Sequence, residues 1–333
     1  MIVSETKKIA VWGLGNHALR NIIPAIHISK ELEMHGVLSR NKDVVKDCCA
    51  TWDCKSWTSS RDMLSDPNIT IVYLATPPGL HYEHGLQVLE SNKHLWCEKP
   101  FTTSLKSSKQ LINLSSEKNL SSCEGFMYLY HPQFIQLKEY IDEGVLGNLK
   151  TIHCRFGLPK LDDPGFRFNK ELGGSCLLDV GCYPVSAVLA LFPDNKIEIV
   201  DSSMRKQGVS LVDISGRAHL KIDSKINCFL EWSYDSAYRN EIDIWADAGS
   251  LYTDKIFSKK EDYEPNFQLQ DLYGNPTKII VESCNHFELM LKCFSASIGC
   301  EEKLNQQRKR ILNLAVLLEK IKEDNSSNQG WGH

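Results

Sequence analysis

The sequence predicts an α/β chain in two parts. Residues 1–123 read as a doubly wound parallel sheet. Residues 124–323 read as an α+β domain on a large, mostly antiparallel open sheet, with a polar tail over 324–333. Three observations carry this reading. From Lys8 to Met127, short apolar runs alternate with helix-like stretches, as in βαβ units. Ile69–Ala75 is apolar without alternation, as a strand covered on both faces is. From Ile197 to Thr253 apolar and polar residues alternate, which suits strands with one wet face.

The elements follow in order. Lys8–Trp12 is a strand, and Leu19–Lys30 has a helical pattern. Between them lies Gly13-Leu14-Gly15-Asn16-His17-Ala18, a Gly-x-Gly-x-x-Ala turn. The first glycine permits the tight turn, the second admits a pyrophosphate to the backbone, and the small Ala18 lets helix and strand pack closely. Helix-start N–H groups would hold the anion. Gly13, Leu14, Gly15, Asn16 and His17 are therefore expected at a dinucleotide. The second strand, Glu33–Leu38, ends in Ser39-Arg40-Asn41. An NAD site usually places an acid there for the ribose 2′-hydroxyl, whereas a hydroxyl and an arginine suit a 2′-phosphate. NADP(H) is the expected cofactor, and NAD(H) stays open.

Helices are expected at Asp43–Trp52 and Ser59–Leu64, ahead of the apolar strand Ile69–Ala75. Thr76-Pro77-Pro78 is a stiff turn. His81 opens the following helix, either beside the cofactor or packed inside. A strand through Leu95-Trp96-Cys97 then stops at Glu98-Lys99-Pro100, placing Lys99 at a strand's carboxyl end, where open α/β sheets bind ligands. Thr103-Ser104 offers a cap for a helix to Glu117, and Ser121–Met127 reads as the sixth strand. In the second half come a helix from Pro132 to Glu143, a strand over Lys150–Phe156 and a polar loop over Leu158–Lys170 that carries Arg167. Gly173-Gly174-Ser175-Cys176-Leu177-Leu178-Asp179-Val180-Gly181-Cys182-Tyr183-Pro184 precedes an apolar helix, Val185–Leu191, and helical spacing puts Asp179 and Tyr183 on one face. Two amphipathic helices, Asn285–Ser297 and Leu304–Glu323, precede a tail from Asn325.

Composition narrows the function classes. The chain has 333 residues, 42% hydrophobic and 24% charged, with a formal net charge of −4. No basic face is advertised, so nucleic acid is not an expected partner. No apolar run approaches the ~20 residues of a membrane span, and no membrane partner is expected. The 12 cysteines form no Cys-x-x-Cys pair and read as reduced thiols of a cytoplasmic protein, with no metal site expected.

The turn after Ala75, the Glu98-Lys99-Pro100 stop and the Asp179-Val180-Gly181-Cys182-Tyr183-Pro184 stretch together resemble the glucose-fructose oxidoreductase, inositol dehydrogenase and rhizopine catabolism family of NAD(P)-dependent oxidoreductases. The resemblance implies a Rossmann-type first domain. It places Thr76, Pro77, His81, Glu98 and Lys99 at the cofactor, and Arg167, Asp179 and Tyr183 at the substrate. Lys99, Tyr183 and Asp179 are then the catalytic set: Tyr183 as proton donor, Lys99 polarising the oxygen and tuning the phenol, Asp179 orienting Lys99 or a substrate hydroxyl. The subgroup resembled is that of nucleotide-linked ketosugar 3-reductases. Xylose-type and trans-dihydrodiol dehydrogenases share the tyrosine motif, and a non-catalytic dinucleotide sensor is the alternative of another class. The expected partner is a sugar or sugar-nucleotide substrate. Relatives commonly pair subunits through the open sheet, which implies a homodimer or homotetramer.

Overall fold

A computed structural model describes residues 6–162, 165–207 and 212–327. Asp163 and Pro164 of the polar loop, and residues 328–333 of the expected tail, lie outside the described residues. The chain divides into two compact units. The first is Met1–Phe126 with Phe287–Leu312, and the second is Met127–His286 with Asn313–His333.

In the first unit, β1 (Lys7–Trp12), β2 (Leu32–Leu38), β3 (Lys55–Ser56), β4 (Ile71–Leu74), β5 (His94–Glu98) and β6 (Ser122–Gly125) form a parallel sheet in the order β3-β2-β1-β4-β5-β6. Its helices are α1 (Ile23–Ile28), α2 (Lys42–Trp52), α3 (Ser60–Ser65), α4 (His81–Glu90) and α5 (Leu105–Glu117). Local chemistry sets their starts. The side chains of Asn41, Ser59 and Ser104 accept backbone N–H bonds at the starts of α2, α3 and α5, each such cap contributing about 1 kcal/mol. All four residues of β4 are buried, as a central parallel strand requires. Fully buried Trp96 of β5 meets Phe294 edge to face at 5.4 Å. One apolar cluster joins Trp12, Leu38, Leu74, Val88, Leu95, Leu111 and Ile311.

The second unit holds α6 (Pro132–Asp142), β7 (Leu149–Gly157), α7 (Cys182–Leu191), β8 (Ile197–Gln207), β9 (Val212–Ile222), β10 (Ile226–Ser233), β11 (Arg239–Ala246), β12 (Gly249–Asp254), β13 (Asn266–Asp271) and β14 (Pro276–Ile280). The sheet order is β14-β13-β12-β11-β7-β10-β9-β8. Neighbours run antiparallel except β7 and β10, which pair in parallel from Thr151↔Asn227 to Gly157↔Ser233. One face packs on α7, whose residues Cys182–Val188 are all buried. The other face is wet and carries Arg155 ion-paired to Glu231 and Glu241, and an exposed Trp245.

The last two helices are α8 (His286–Ser297) and α9 (Glu301–Ser327). Phe287–Leu312 groups with the parallel sheet, where Arg308 donates to the carbonyls of Ser115 and Leu120. Three expectations are corrected. The helix expected from Val185 starts at Cys182, after a π-turn over Leu177–Gly181. The first helix likewise opens with a π-turn, Ala18–Ile22. The tail expected from Asn325 is still helical to Ser327. Among the described residues, no helix is long and apolar enough to cross a membrane.

Candidate active site

In the first unit the carboxyl ends of β1, β2, β4 and β5 carry the residues singled out for the cofactor. Gly13 has φ +107 and donates to the Leu38 carbonyl at 2.8 Å. A Cβ there would lie 2.6 Å from the Ala75 carbonyl group, so only glycine lets the turn pass between β2 and β4. Gly15 differs: a Cβ there would meet nothing within 4 Å. That open space lies ahead of the first helical bond, Leu19 N–H to the Gly15 carbonyl at 3.1 Å, where a helix start offers unpaired N–H donors. Gly15, Asn16 and His17 are exposed there, while Leu14 is buried beneath. A dinucleotide pyrophosphate fits this turn. Ser39 and exposed Arg40 follow β2, and Arg40 has no acidic partner among the described residues.

His17 reaches β5: its Nε2 is 3.1 Å from Glu98 Oε1. Tyr73 donates to the same oxygen at 2.6 Å. Burial opposes ionisation of Glu98, but His17, Tyr73 and Lys99 overcome it and hold its pKa below the usual carboxylate value. Glu98 thus anchors the strand end from which Lys99 projects. His81, read as either beside the cofactor or packed inside, turns inward. It is 1% exposed, with Nδ1 2.8 Å from the Pro100 carbonyl and Nε2 2.7 Å from that of Thr76. A neutral ring can donate to only one of these carbonyls, and burial keeps its pKa down. His81 therefore ties the turn after β4 to the one after β5. The Lys99–Pro100 peptide is cis. Thr76 and Pro77 lie half-exposed at the surface of this turn.

Sequence reasoning missed Glu124, an acid inside β6. It is 6% exposed; Oε1 accepts from Phe101 N–H at 2.6 Å, and Oε2 has no partner among the described residues. Burial pushes its pKa up to about 8, against the pull of the Phe101 N–H, Arg310 and Lys99. The visible signal was a charged residue inside the expected strand Ser121–Met127. The folded pKa lies above the unfolded one, so Glu124 stabilises the fold below the unfolded value and that contribution is lost as pH rises towards 8. Glu124→Gln keeps an acceptor for Phe101 and removes the titration. Its melting temperature should fall less than that of the parent between about pH 5 and 8, each pKa unit being worth about 1.4 kcal/mol. Parallel melting curves would refute this.

In the second unit Asp179 sits in the π-turn ahead of α7, 6% exposed. Its Oδ2 accepts from Arg167 Nε at 2.7 Å and from the Tyr234 hydroxyl at 3.0 Å. Arg167 comes from a 3-10 turn, Gly165–Phe168. Gly174 makes this possible, because a Cβ there would strike the Arg167 carbonyl. Burial disfavours the guanidinium charge, but Asp179 more than restores it and raises the Arg167 pKa. Burial, then Asp179, drives the Tyr234 phenol far above its ordinary pKa, so it remains a donor. Tyr234 was not foreseen, since it lies 55 residues from Asp179. Tyr183 is 6% exposed and ringed by Tyr128, Phe156 and Phe257, with centroids 5.1–5.9 Å away.

Comparison with known proteins matches these halves. Residues 7–126 match the model of an oxidoreductase family with an NAD-binding Rossmann fold, GFO_IDH_MocA, and residues 134–252 match the GFO/IDH/MocA C-terminal domain. A dTDP-3,4-didehydro-2,6-dideoxy-alpha-D-glucose 3-reductase of Saccharopolyspora spinosa is 29% identical over 263 residues, 79% of each chain. Its counterpart from Actinomadura kijaniata is 25% identical over 317 residues, 95% of this chain and 94% of that one. A trans-1,2-dihydrobenzene-1,2-diol dehydrogenase of Xenopus laevis is 28% identical over 179 residues, 52% of this chain and 54% of its own. Among solved structures, a 3-ketoreductase from Actinomadura kijaniata, crystallised with NADP and TDP-benzene, superposes with a TM-score of 0.91 at 24% identity, covering 96% of this chain and 98% of that one. With residues 7–126 and 134–252, well over half of its length, matched by the family's two models, the chain belongs to the GFO/IDH/MocA family of oxidoreductases.

Proposed function

We propose that the chain is an NADP(H)-dependent reductase of a nucleotide-linked ketosugar. The observation that carries the cofactor choice is the tip of β2, where Ser39 and an exposed, acid-free Arg40 stand in place of a ribose-binding carboxylate. Similarity to dTDP-ketosugar 3-reductases over 79% and 95% of this chain supports the substrate class. Bound at the Gly13–His17 turn, the nicotinamide dinucleotide would supply hydride chemistry. The chain's own residues supply the rest. Tyr183 is the proposed proton donor to the keto oxygen, and Lys99 is the proposed positive charge that polarises that oxygen. Asp179, held by Tyr234, fixes Arg167, whose remaining guanidinium N–H groups suit a sugar hydroxyl or a phosphate.

The test is direct. Purified protein is given a TDP-linked 3-ketosugar with NADPH or NADH, and coenzyme oxidation is followed by absorbance. Faster turnover with NADPH and a reduced sugar nucleotide by mass spectrometry are expected. Turnover only of free xylose or of a trans-dihydrodiol would replace the substrate half of the reading.

The wet face of the eight-stranded sheet also supports self-association. On it His153, Phe229 and His219 stack, with centroids 5.0 and 4.5 Å apart, beside exposed Trp245. We propose a homodimer or homotetramer through this face. A monomer by native mass spectrometry would end that proposal.

A further inference from the structure

At the carboxyl edge of the parallel sheet, the imidazole of His84 on α4 lies flat on the indole of Trp12. Their centroids are 4.1 Å apart and their planes 20° apart. Trp12 is the last residue of β1 and immediately precedes Gly13. His84 Nδ1 is 3.1 Å from Thr76 Oγ1. Nε2, on the opposite edge of the ring, has no protein partner among the described residues, and the residue is half-buried.

The charged or titratable groups that face this ring are His81, on the same helix, and Arg40, from the turn after β2; Trp12 and Thr76 fill its other sides. Burial first, then His81 and Arg40, holds the His84 pKa at about 4, so the ring is neutral near pH 7. His81 is itself kept neutral by burial. Arg40 is exposed and has no acid beside it. A neutral imidazole and an exposed guanidinium thus serve one corner of the site, with Ser39 adjacent to Arg40 in the chain. If the stack on Trp12 were the whole role, a phenylalanine would fill it equally well. The imidazole adds a group that can become a cation when an anion arrives.

We propose that His84 is a specificity-determining residue of the dinucleotide site, which with Ser39 and Arg40 reads the adenosine 2′-phosphate of NADP(H) and takes up a proton as that phosphate binds. The inference rests on the NADP(H) reading and assigns a residue and a proton to it. An opposite charge nearby favours the charged form of histidine. Binding therefore raises the His84 pKa, and affinity for a 2′-phosphorylated dinucleotide increases as pH falls towards that raised value. One linked proton changes affinity by at most about tenfold per pH unit. A dinucleotide with a 2′-hydroxyl brings no such charge, and its binding takes up no proton here.

Calorimetric titration of the full chain with NADP⁺ and with NAD⁺ tests this, in two buffers of different ionisation heat, between about pH 5.5 and 7.5, where histidines titrate. The parent, His84→Gln and His84→Phe are compared after circular dichroism shows each to be folded. His84→Phe keeps a ring on Trp12, and His84→Gln keeps a polar group near Thr76. The free 2′-phosphate titrates alike in all three, and in the complex it titrates as a pair with His84, so the proton count that matters is the parent's minus that of each variant. The parent should take up protons with NADP⁺ and bind it more tightly at the lower pH. Both variants should lose the uptake and, with it, the gain in NADP⁺ affinity on lowering the pH, up to about tenfold per pH unit, with NAD⁺ affinity unchanged. Variants that keep the parent's proton uptake and NADP⁺ to NAD⁺ ratio would overturn the inference alone. Equal losses for both dinucleotides would make His84 a packing residue and overturn it too. A folded parent that binds neither dinucleotide would overturn the cofactor reading and the inference together.

Discussion

Lys99→Met should lower kcat by about 10²–10⁴ while leaving dinucleotide affinity within a few-fold, the loss expected for a group that moves or polarises a proton. In barrier terms this is roughly 3–5 kcal/mol. Lys99 follows the last residue of β5, and its charge acts on Glu98, on His81 and on Glu124. Methionine keeps the length of the stem and removes that charge. The informative comparison is Tyr183→Phe. Tyr183 is caged by three aromatic rings, so phenylalanine fills the same space and only the hydroxyl is lost. If Tyr183 is the donor, Tyr183→Phe loses as much as Lys99→Met, and the high-pH limb of the kcat profile disappears with the phenol. If Tyr183→Phe stays within a few-fold of the parent, Lys99 donates the proton itself. Stopped-flow measurement of a single turnover separates these outcomes from product release.

Most of the parallel sheet was legible because its strands are short, largely apolar and punctuated by glycine, proline and capping residues; β3, the two exposed residues Lys55 and Ser56, was not. Asn41, Ser59 and Ser104 announce their helices locally. The hairpin of β13 and β14 was not legible. Asn266–Asp271 and Pro276–Ile280 are mostly polar strands at the edge of the sheet, with little burial to impose a pattern. The parallel pairing of β7 with β10 joins residues more than 70 apart, and no local signal encodes it. The two π-turns were also hidden, because a wide turn is set by what packs on it. At the site, the glycine turn and the position of Lys99 at a strand's carboxyl end could be read from residue type and spacing, whereas Asp179 and Arg167 were singled out by the family resemblance. Tyr73, Glu124 and Tyr234 could not, since each acts through a partner brought near by the sheets. His84 could be noticed only as an odd residue in a helix; its stack on Trp12 is a tertiary fact.

Removing Arg167 should be the most destabilising single change at the substrate half of the site. Asp179 has 8% side-chain exposure and Arg167 28%, so the pair is largely out of water. Breaking a buried pair leaves an uncompensated charge and costs about 3–5 kcal/mol. Partial exposure of Arg167 and the Tyr234 hydroxyl bond place Arg167→Met towards the lower end, read as a shift in the urea midpoint. Asp179→Asn in the same background should recover part of that loss, because it removes the stranded carboxylate. The double variant should therefore be more stable than Arg167→Met alone, and a double-mutant cycle gives the coupling. Additive losses would mean that water already solvates the pair. The same variants separate two roles of Arg167. If it only braces Asp179, the double variant regains substrate affinity along with stability. If it binds the sugar nucleotide, KM stays raised in both variants even where the fold has recovered.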